Sequence, residues 1–193
     1  MSLSLGWPSK ALGATVRAFA AAMITAAGGA AVSADPTGNV SERSPDGQSS
    51  RQSAGNLSAQ LILVADDRQA FKAWDTPQET IVVGTVRSVV VGGQANAFVV
   101  FRGCAPAQSG HCDVTMRLHV YRPDGKVYAV TPPLEVWQYK PAPPAHVLQL
   151  SAQYLKVVVE PQDQLGTYIV SASVKDHVSG ASLQLSTAFE ATR

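Results

Sequence analysis

The residues that could bind a metal ion are few in this 193-residue chain and widely spaced. The four histidines are His111, His119, His146 and His177, and none belongs to a His-x-x-x-His or His-Glu pair. A tetrahedral metal site needs converging ligands, which this spacing does not supply. We therefore expect no metal and no cofactor, with His111, beside Cys112, as the one weak candidate ligand. A periplasmic copper- or zinc-handling protein that uses His111 with other histidines or Met116 is the alternative hypothesis.

Side chains suited to acid–base or nucleophilic catalysis are equally dispersed. There is no Gly-x-Ser-x-Gly nucleophile elbow, and no glycine-rich phosphate loop precedes a helix. The carboxylates fall in predicted turns and at strand ends, where Asp usually bonds to nearby backbone; they are Asp113, Asp124, Glu135, Glu160, Asp163 and Asp176. We expect a protein that is not an enzyme. A hydrolase whose site is assembled by the fold alone is a further alternative.

Cys104 and Cys112 are the two cysteines, and the turn-forming segment Ala-Pro-Ala-Gln-Ser-Gly-His lies between them. A redox pair usually has the tighter Cys-x-x-Cys spacing, so we expect a structural disulfide instead. Closing so short a loop contributes about 2–3 kcal/mol in the chain-entropy description.

The N-terminal 34 residues have the pattern of a secretory signal peptide. Lys10 and Arg17 supply positive charge, residues 18–27 form an apolar run, and Val32-Ser33-Ala34 predicts cleavage after Ala34. The run is short and Ala-rich, whereas a membrane span needs about 20 strongly apolar residues. We expect an exported protein, periplasmic or secreted, with no stable membrane span after cleavage. Such a compartment favours disulfides.

Residues 35–56 are rich in Ser, Gly, Asn and Gln, with Val40 as the one large aliphatic side chain. Such a segment buries too little surface to offset the entropy of ordering, so we predict a disordered spacer. Residues 57–193 have the size of one domain. Removing residues 1–34 takes away two of the 15 basic residues and none of the 14 acidic ones, which changes the net charge from +1 to −1. This balance does not indicate nucleic acid as a partner.

Alternation with a period of two residues dominates the chain after residue 57 and predicts seven or eight short strands. Leu61–Val64 is the first strand or its lead-in. The other predicted strands include Ile81–Val91, Ala97–Arg102, Val114–Tyr121, Val127–Val130, one or two strands in Val147–Val159, and a final hairpin from Tyr168 to Phe189. Between the first strand and Ile81–Val91, Phe71 and Trp74 stand three apart, so one helical turn would place both on one face. We expect this pair either to close one end of a sandwich or to form an exposed patch.

The segment Asp163-Gln-Leu-Gly166-Thr-Tyr168 precedes the first strand of that final hairpin. An acidic residue and a Gly just ahead of a Tyr that opens an alternating strand are the sequence form of a tyrosine corner. We therefore assign Asp163, Gly166 and Tyr168 a structural role, and this removes Asp163 from the candidate catalytic acids.

On these residues, the region from Asp163 to Phe189 resembles the last two strands of immunoglobulin-like or fibronectin-type-III-like domains. The wider chain, with Phe101-Arg-Gly-Cys104, Glu135-Val-Trp137 and the corner, is similar to small secreted bacterial proteins of unassigned function. The resemblance implies a single all-β, immunoglobulin-like Greek-key sandwich. The two cysteines are too close in sequence to form the inter-sheet bridge of antibody domains, so no antigen-receptor function is implied.

Trp137 and Tyr139 are the candidate partner-binding residues. They precede the proline-rich segment Pro141-Ala-Pro-Pro144, and in a regular strand they would share one face. If that face is solvated, it is a contact surface, since aromatic residues are enriched at interfaces. If it faces the core, the two side chains serve packing. The sequence thus predicts an exported, non-catalytic interaction or structural module of the bacterial envelope, whose partner is another envelope protein or a surface polymer.

Overall fold

The computed structural model describes residues 49–75 and 83–193, together with the backbone of residues 3–6. In these ranges the chain forms one helix and twelve strands. The helix α1 spans Asp67–Asp75; the strands are β1 (Leu3–Gly6), β2 (Arg51–Ala54), β3 (Leu57–Val64), β4 (Ser88–Val90), β5 (Gln94–Arg102), β6 (His111–Tyr121), β7 (Val127–Val130), β8 (Leu134–Pro141), β9 (Gln149–Leu150), β10 (Tyr154–Val158), β11 (Gly166–Asp176) and β12 (Ser182–Thr192). None of the described residues belongs to a helix long and apolar enough to cross a membrane.

The strands form two packed sheets, and the protein is a mostly-β sandwich. Sheet I has the order β1-β10-β5-β3-β2, with β9 also paired to β5; sheet II has the order β4-β12-β11-β6-β7, with β8 also paired to β6. Neighbouring strands are antiparallel except β4, which runs parallel to β12. The chain therefore crosses from sheet I to sheet II three times after β3: between β3 and β4, between β5 and β6, and between β10 and β11.

The main core lies between the sheets and follows the alternation of the sequence. In β6 the inward residues Val114, Met116, Leu118 and Val120 are at most 1 % exposed, and the residues between them are partly or fully exposed. The final hairpin behaves in the same way: Tyr168 lies opposite Phe189, and their rings stack at 5.3 Å between centroids. Burial of one face in each strand fixes the register of sheet II, because a slip of one residue would expose the whole apolar set.

Strand β5 is buried on both faces because α1 covers the outer face of sheet I. Asp66 precedes the helix and accepts hydrogen bonds from the backbone N–H groups of Arg68 and Gln69, as an N-cap residue does. Phe71 packs edge-on against Phe98 of β5, with ring centroids 5.4 Å apart. Phe98 in turn stacks on Tyr154 of β10 at 4.4 Å. Together these side chains make a second, smaller core outside the sandwich, so Phe71 does not close one end of the sandwich.

Three sequence expectations need correction. Arg51–Ala54 was predicted to be spacer but forms β2, which pairs with β3 through residues such as Arg51 opposite Gln60. Its composition is polar because it is a half-buried edge strand. Residues 35–48 of the predicted spacer lie outside the described residues. The predicted signal also lies outside them, apart from the backbone of residues 3–6.

The second correction concerns Ile81–Val91, where the described part contains a strand only at Ser88–Val90. β-branched side chains favour a strand, but a strand also needs a partner, and β12 offers one only at its last three residues. The third is the strand count, twelve instead of seven or eight. The count rises in part because β1 and β2 lie in the predicted signal and spacer. The division of Val147–Val159 into β9 and β10 by Ser151–Gln153 is one of the two alternatives that the sequence predicted.

Candidate functional site

Strand β8 contains an irregularity that places Tyr139 outside the regular ladder. Along β8, Gln138 lies opposite Asp113 and Lys140 lies opposite Cys112, so Tyr139 is an extra residue with no partner on β6. Its φ of 54° makes it the one residue other than glycine with positive φ in the described chain. An extra residue in the left-handed conformation bends a strand and redirects its side chain. Tyr139 is 80 % exposed.

Trp137, two residues earlier, is anchored in the protein. Its ring packs on the fully buried Phe101 of sheet I, with centroids 5.9 Å apart. The indole Nε1 donates a 3.0 Å hydrogen bond to the carbonyl oxygen of Pro141. Lys140 Nζ lies 5.1 Å from the ring centroid and 2.7 Å from Glu135 Oε1, so a cation covers part of the ring.

The two aromatic residues therefore lie in different environments. Trp137 is half-buried and packs against the main core, whereas Tyr139 projects into solvent. A regular strand would have placed both on one face, and the bulge separates them. We use the term bulge surface for Trp137, Tyr139 and Lys140 together.

The predicted disulfide between Cys104 and Cys112 is present and lies directly beside the bulge surface. Cys112 is 1 % exposed and pairs with Lys140 across the ladder. Inside the closed loop, the backbone N–H of Gly110 donates to the carbonyl of Ala107, and the Gly110 carbonyl accepts from Ala142 just after β8. The loop and the proline-rich segment are thus held together, which limits the freedom of the backbone that follows Tyr139.

A buried carboxylate connects the disulfide loop to the β11–β12 hairpin. Asp176 is 0 % exposed, and its Oδ2 accepts hydrogen bonds from the backbone N–H of Ala105 and the hydroxyl of Ser179, at 2.9 and 2.8 Å. Its Oδ1 accepts from the N–H groups of Val178 and Ser179. All these donors hold the carboxylate in place, so Asp176 serves turn geometry, as the sequence predicted for the turn acids.

The corner residues lie at the entry to β11. The Tyr168 hydroxyl donates a 2.9 Å hydrogen bond to the carbonyl of Gln164, and its ring is 1 % exposed. Gly166 has a φ of 124°, and a Cβ there would come within 3.1 Å of the Pro123 side chain. Burial and the nearby Asp163 carboxylate raise the pKa of Tyr168.

Asp163 bonds to its own turn and to a tyrosine that sequence reasoning missed. Its Oδ2 accepts from the backbone N–H of Glu160 at 2.8 Å and from the Tyr128 hydroxyl at 2.9 Å. Burial, then the hydrogen bond and the charge of Asp163, raise the pKa of Tyr128. Tyr128 stands on β7, 35 residues from Asp163, and no local sequence pattern joins the two.

The histidines and other candidate metal ligands are not brought together. His111 begins β6 on the outer side, whereas Met116 is 1 % exposed in the core, so these two side chains lie on opposite faces of sheet II. His177 Nε2 lies 2.8 Å from the Thr115 hydroxyl. In residues 49–75 and 83–193, no group of three or more His, Cys, Asp or Glu residues could hold a metal ion.

Comparison with known proteins identifies no family for this chain. No protein-family model matches it, and no curated protein matches it. Among solved structures, it is similar to part of a family 123 glycoside hydrolase from Clostridium perfringens, with a TM-score of 0.38, 10 % identity, and coverage of 72 % of this chain and 28 % of that one. It is also similar to part of the Pseudomonas fluorescens alkylpurine DNA glycosylase AlkC, with a TM-score of 0.35, 14 % identity, and coverage of 55 % and 28 %. The chain thus spans about a quarter of each of these larger proteins.

Proposed function

We propose that this protein is an exported, non-catalytic, immunoglobulin-like module that binds another envelope protein or a surface polymer through the bulge surface. The order β10-β5-β3 in one sheet and β8-β6-β11-β12 in the other supports the immunoglobulin-like assignment. So does the hydrogen bond from the Tyr168 hydroxyl to Gln164 in the turn before β11, which has the form of a tyrosine corner. The signal-like N-terminus supports export to the periplasm or beyond.

The observation that carries the binding proposal is the conformation of Tyr139. A left-handed residue with a Cβ costs about 1–2 kcal/mol relative to its usual conformations. At 80 % exposure, the Tyr139 ring gains little packing in return. Backbone strain of this kind concentrates at functional sites, where the surrounding structure holds it in place. Here the neighbouring support is the ladder with β6, the packed Trp137 and the disulfide loop.

The chemistry of the bulge surface fits a polypeptide or a carbohydrate polymer. An exposed tyrosine offers a flat apolar face and a hydroxyl that can donate and accept hydrogen bonds. Lys140, half-buried beside the Trp137 ring, adds a cation. Such aromatic side chains supply contact area at a low entropic cost, which suits a small recognition surface.

The test replaces Tyr139 alone, because Trp137 also serves packing and its loss would confound binding with stability. Tyr139→Gly removes the ring and keeps the backbone conformation that glycine adopts without cost. The wild-type protein and Tyr139→Gly are each cross-linked in the cells that produce them, and the captured neighbours are compared by mass spectrometry. Val127→Ala, which removes an exposed apolar side chain (55 % exposed) from β7, is the matched control.

We expect the specific neighbour to be lost in Tyr139→Gly and retained in Val127→Ala. If Tyr139→Gly folds and captures the same neighbour in the same yield as the wild type, the bulge surface is not the contact site. Sequencing the N-terminus of the exported protein checks the export proposal separately, with Asp35 as the expected first residue.

A further inference from the structure

The outer edge of β10 is occupied in the structure by the backbone of β1. The two strands are antiparallel, with Leu3 opposite Val157, Ser4 opposite Lys156, Leu5 opposite Leu155, and Gly6 opposite Tyr154. On its other edge β10 pairs with β5. β1 lies within the first 34 residues, so cleavage of the predicted signal after Ala34 would remove it and leave the outer backbone groups of β10 without these partners.

The other sheet edges in the described residues carry features that discourage a further strand. β9 is two residues long and β4 is three, and β7 is four residues long and is followed by Pro132 and Pro133. β8 contains two register shifts, and its carbonyl groups at Glu135 and Val136 already accept hydrogen bonds from Gln153 and Ala152. Short length, proline and bulges are the means by which natural sheets prevent edge pairing.

The edge at β2 is also engaged, because its segment is joined to sheet II. The carbonyl of Ser49 accepts a hydrogen bond from the N–H of Ser186, and the side-chain oxygen of Gln52 accepts one from the N–H of Gln184. β10 differs from all these edges: its pairing register is continuous from Tyr154 to Val158, with no bulge and no proline.

We propose that the outer edge of β10, once vacated, is a strand-addition site for an extended segment of another exported polypeptide. In such a complex, main-chain hydrogen bonds supply affinity, and alternate side chains supply specificity. The inference rests on the proposed export and goes beyond the bulge surface, which lies on sheet II.

The register defines the kind of segment that the site accepts. Residues directly opposite each other in an antiparallel pair share a face. Positions opposite Leu155 and Val157 lie on the inner side of sheet I, because these two residues belong to the main core. Positions opposite Tyr154 and Lys156 lie on the outer side, near α1. The preferred segment therefore has apolar residues at alternate positions and small or polar residues between them, as Leu3-Ser4-Leu5-Gly6 does.

Hydrogen exchange of the β10 amides tests the proposal with three proteins: the full chain purified without export, the full chain carrying Ser4→Pro and Leu5→Pro, and the exported product of the wild-type chain. Successive N–H groups of a strand point to opposite edges of that strand. Replacing both Ser4 and Leu5 by proline therefore removes the one N–H group of the two that points toward β10. The probe is a synthetic peptide of residues 2–7, added at millimolar concentration to the last two proteins. A peptide with proline at positions 4 and 5 is the control.

We expect the amides of residues 154–157 that point away from β5 to exchange at least about tenfold faster in the proline variant and in the exported product than in the full chain. The wild-type peptide should restore their protection, and the proline peptide should not. Equal exchange in the full chain and its proline variant would overturn the proposal, as would equal effects of the two peptides.

Two further outcomes keep this inference separate from the proposed function. An exported product that still begins at Met1 contradicts signal cleavage, while the proline variant continues to test the edge itself. Light scattering of the exported product at increasing concentration reports self-association; a dimer whose β10 amides are protected without peptide would show that the occupant is a second copy and overturn the choice of a foreign segment.

Discussion

The Tyr128 hydroxyl donates a 2.9 Å hydrogen bond to Asp163 Oδ2 and so joins β7 to the turn before β11. The same carboxylate oxygen accepts from the backbone N–H of Glu160. The ring of Tyr128 also packs edge-on against Tyr168, with centroids 5.5 Å apart. The corner is therefore held by two tyrosines, one bonded to the backbone at Gln164 and one to the acid that precedes it.

The buried tyrosines predict a loss of stability at alkaline pH. Folding raises the pKa of Tyr128, Tyr154 and Tyr168 above the value of 10.0. Above about pH 10 the unfolded chain loses tyrosine protons that the folded protein keeps, so the free energy of unfolding falls as pH rises. The stabilisation that comes from these raised pKa values is fully present below pH 10.

Tyr128→Phe should lower the free energy of unfolding by about 1 kcal/mol at neutral pH and reduce the steepness of its decline above pH 10. Urea unfolding between pH 7 and pH 11 measures both, and parallel curves for the two proteins would contradict the assignment.

Tyr139→Gly should raise the free energy of unfolding by about 0.5–1 kcal/mol. Relief of the left-handed conformation stabilises the folded protein by about 1–2 kcal/mol. The greater conformational freedom of glycine stabilises the unfolded chain by about 0.5–1 kcal/mol, which offsets part of this gain. Tyr139→Ala is the matched comparison, because it removes the ring and keeps the strained backbone. Urea unfolding of both variants should place the glycine protein above the alanine protein. The reverse order would mean that Tyr139 is not strained.

Gly103 is expected to tolerate no side chain. It has a φ of 73°, and a Cβ there would overlap the carbonyl oxygen of Asn56 in the β2–β3 turn. Gly110 has a similar φ of 78° but faces open space. Gly103→Ala should therefore lower the free energy of unfolding by more than about 2 kcal/mol. Gly110→Ala should lower it by about 1 kcal/mol, since this variant has the cost of the positive φ and no steric overlap. Thermal or urea unfolding of the two variants side by side separates the backbone contact from the φ effect.

The double change Cys104→Ala and Cys112→Ala should lower the free energy of unfolding by about 2–3 kcal/mol, because the unfolded chain regains the freedom of the closed loop. The wild-type protein unfolded in the presence of reductant should behave like the double variant. Thiol labelling of the denatured, unreduced protein should find no free thiol. Two labelled cysteines in the purified, unreduced protein would contradict the disulfide.

Much of the sandwich follows from local pattern. The period-two alternation of β6 and β11 predicted which residues enter the core, because each of these strands has one buried and one solvated face. In β12 the same pattern predicted Leu183, Leu185 and Phe189, but Ser186, expected on the outer face, is buried and donates a backbone hydrogen bond to Ser49. The spacing of the two cysteines predicted the disulfide between Cys104 and Cys112 for a similarly local reason. The apolar run from Ala97 to Phe101 also held a usable signal: a strand that is apolar at successive positions is covered on both faces, which points to a layer such as α1.

The bulge at Tyr139 and the bond from Tyr128 to Asp163 could not be predicted in this way. The bulge depends on how β8 aligns with β6, and tyrosine in a left-handed conformation leaves no glycine to mark the position. The Tyr128 bond joins residues that only the packing of β7 beside the corner brings together. Both depend on contacts between distant parts of the chain, which local propensity does not encode.

The helix over Phe98 and Tyr154 also limits how copies of the molecule can be arrayed. A flat sheet can stack on another sheet at a spacing of about 10 Å only when both faces are bare. With α1 seated on sheet I, two copies cannot stack that face on itself at this point. A layered, fibre-like assembly built face upon face is therefore blocked on one side, and a regular row of these molecules must extend through sheet edges or through the exposed face of sheet II.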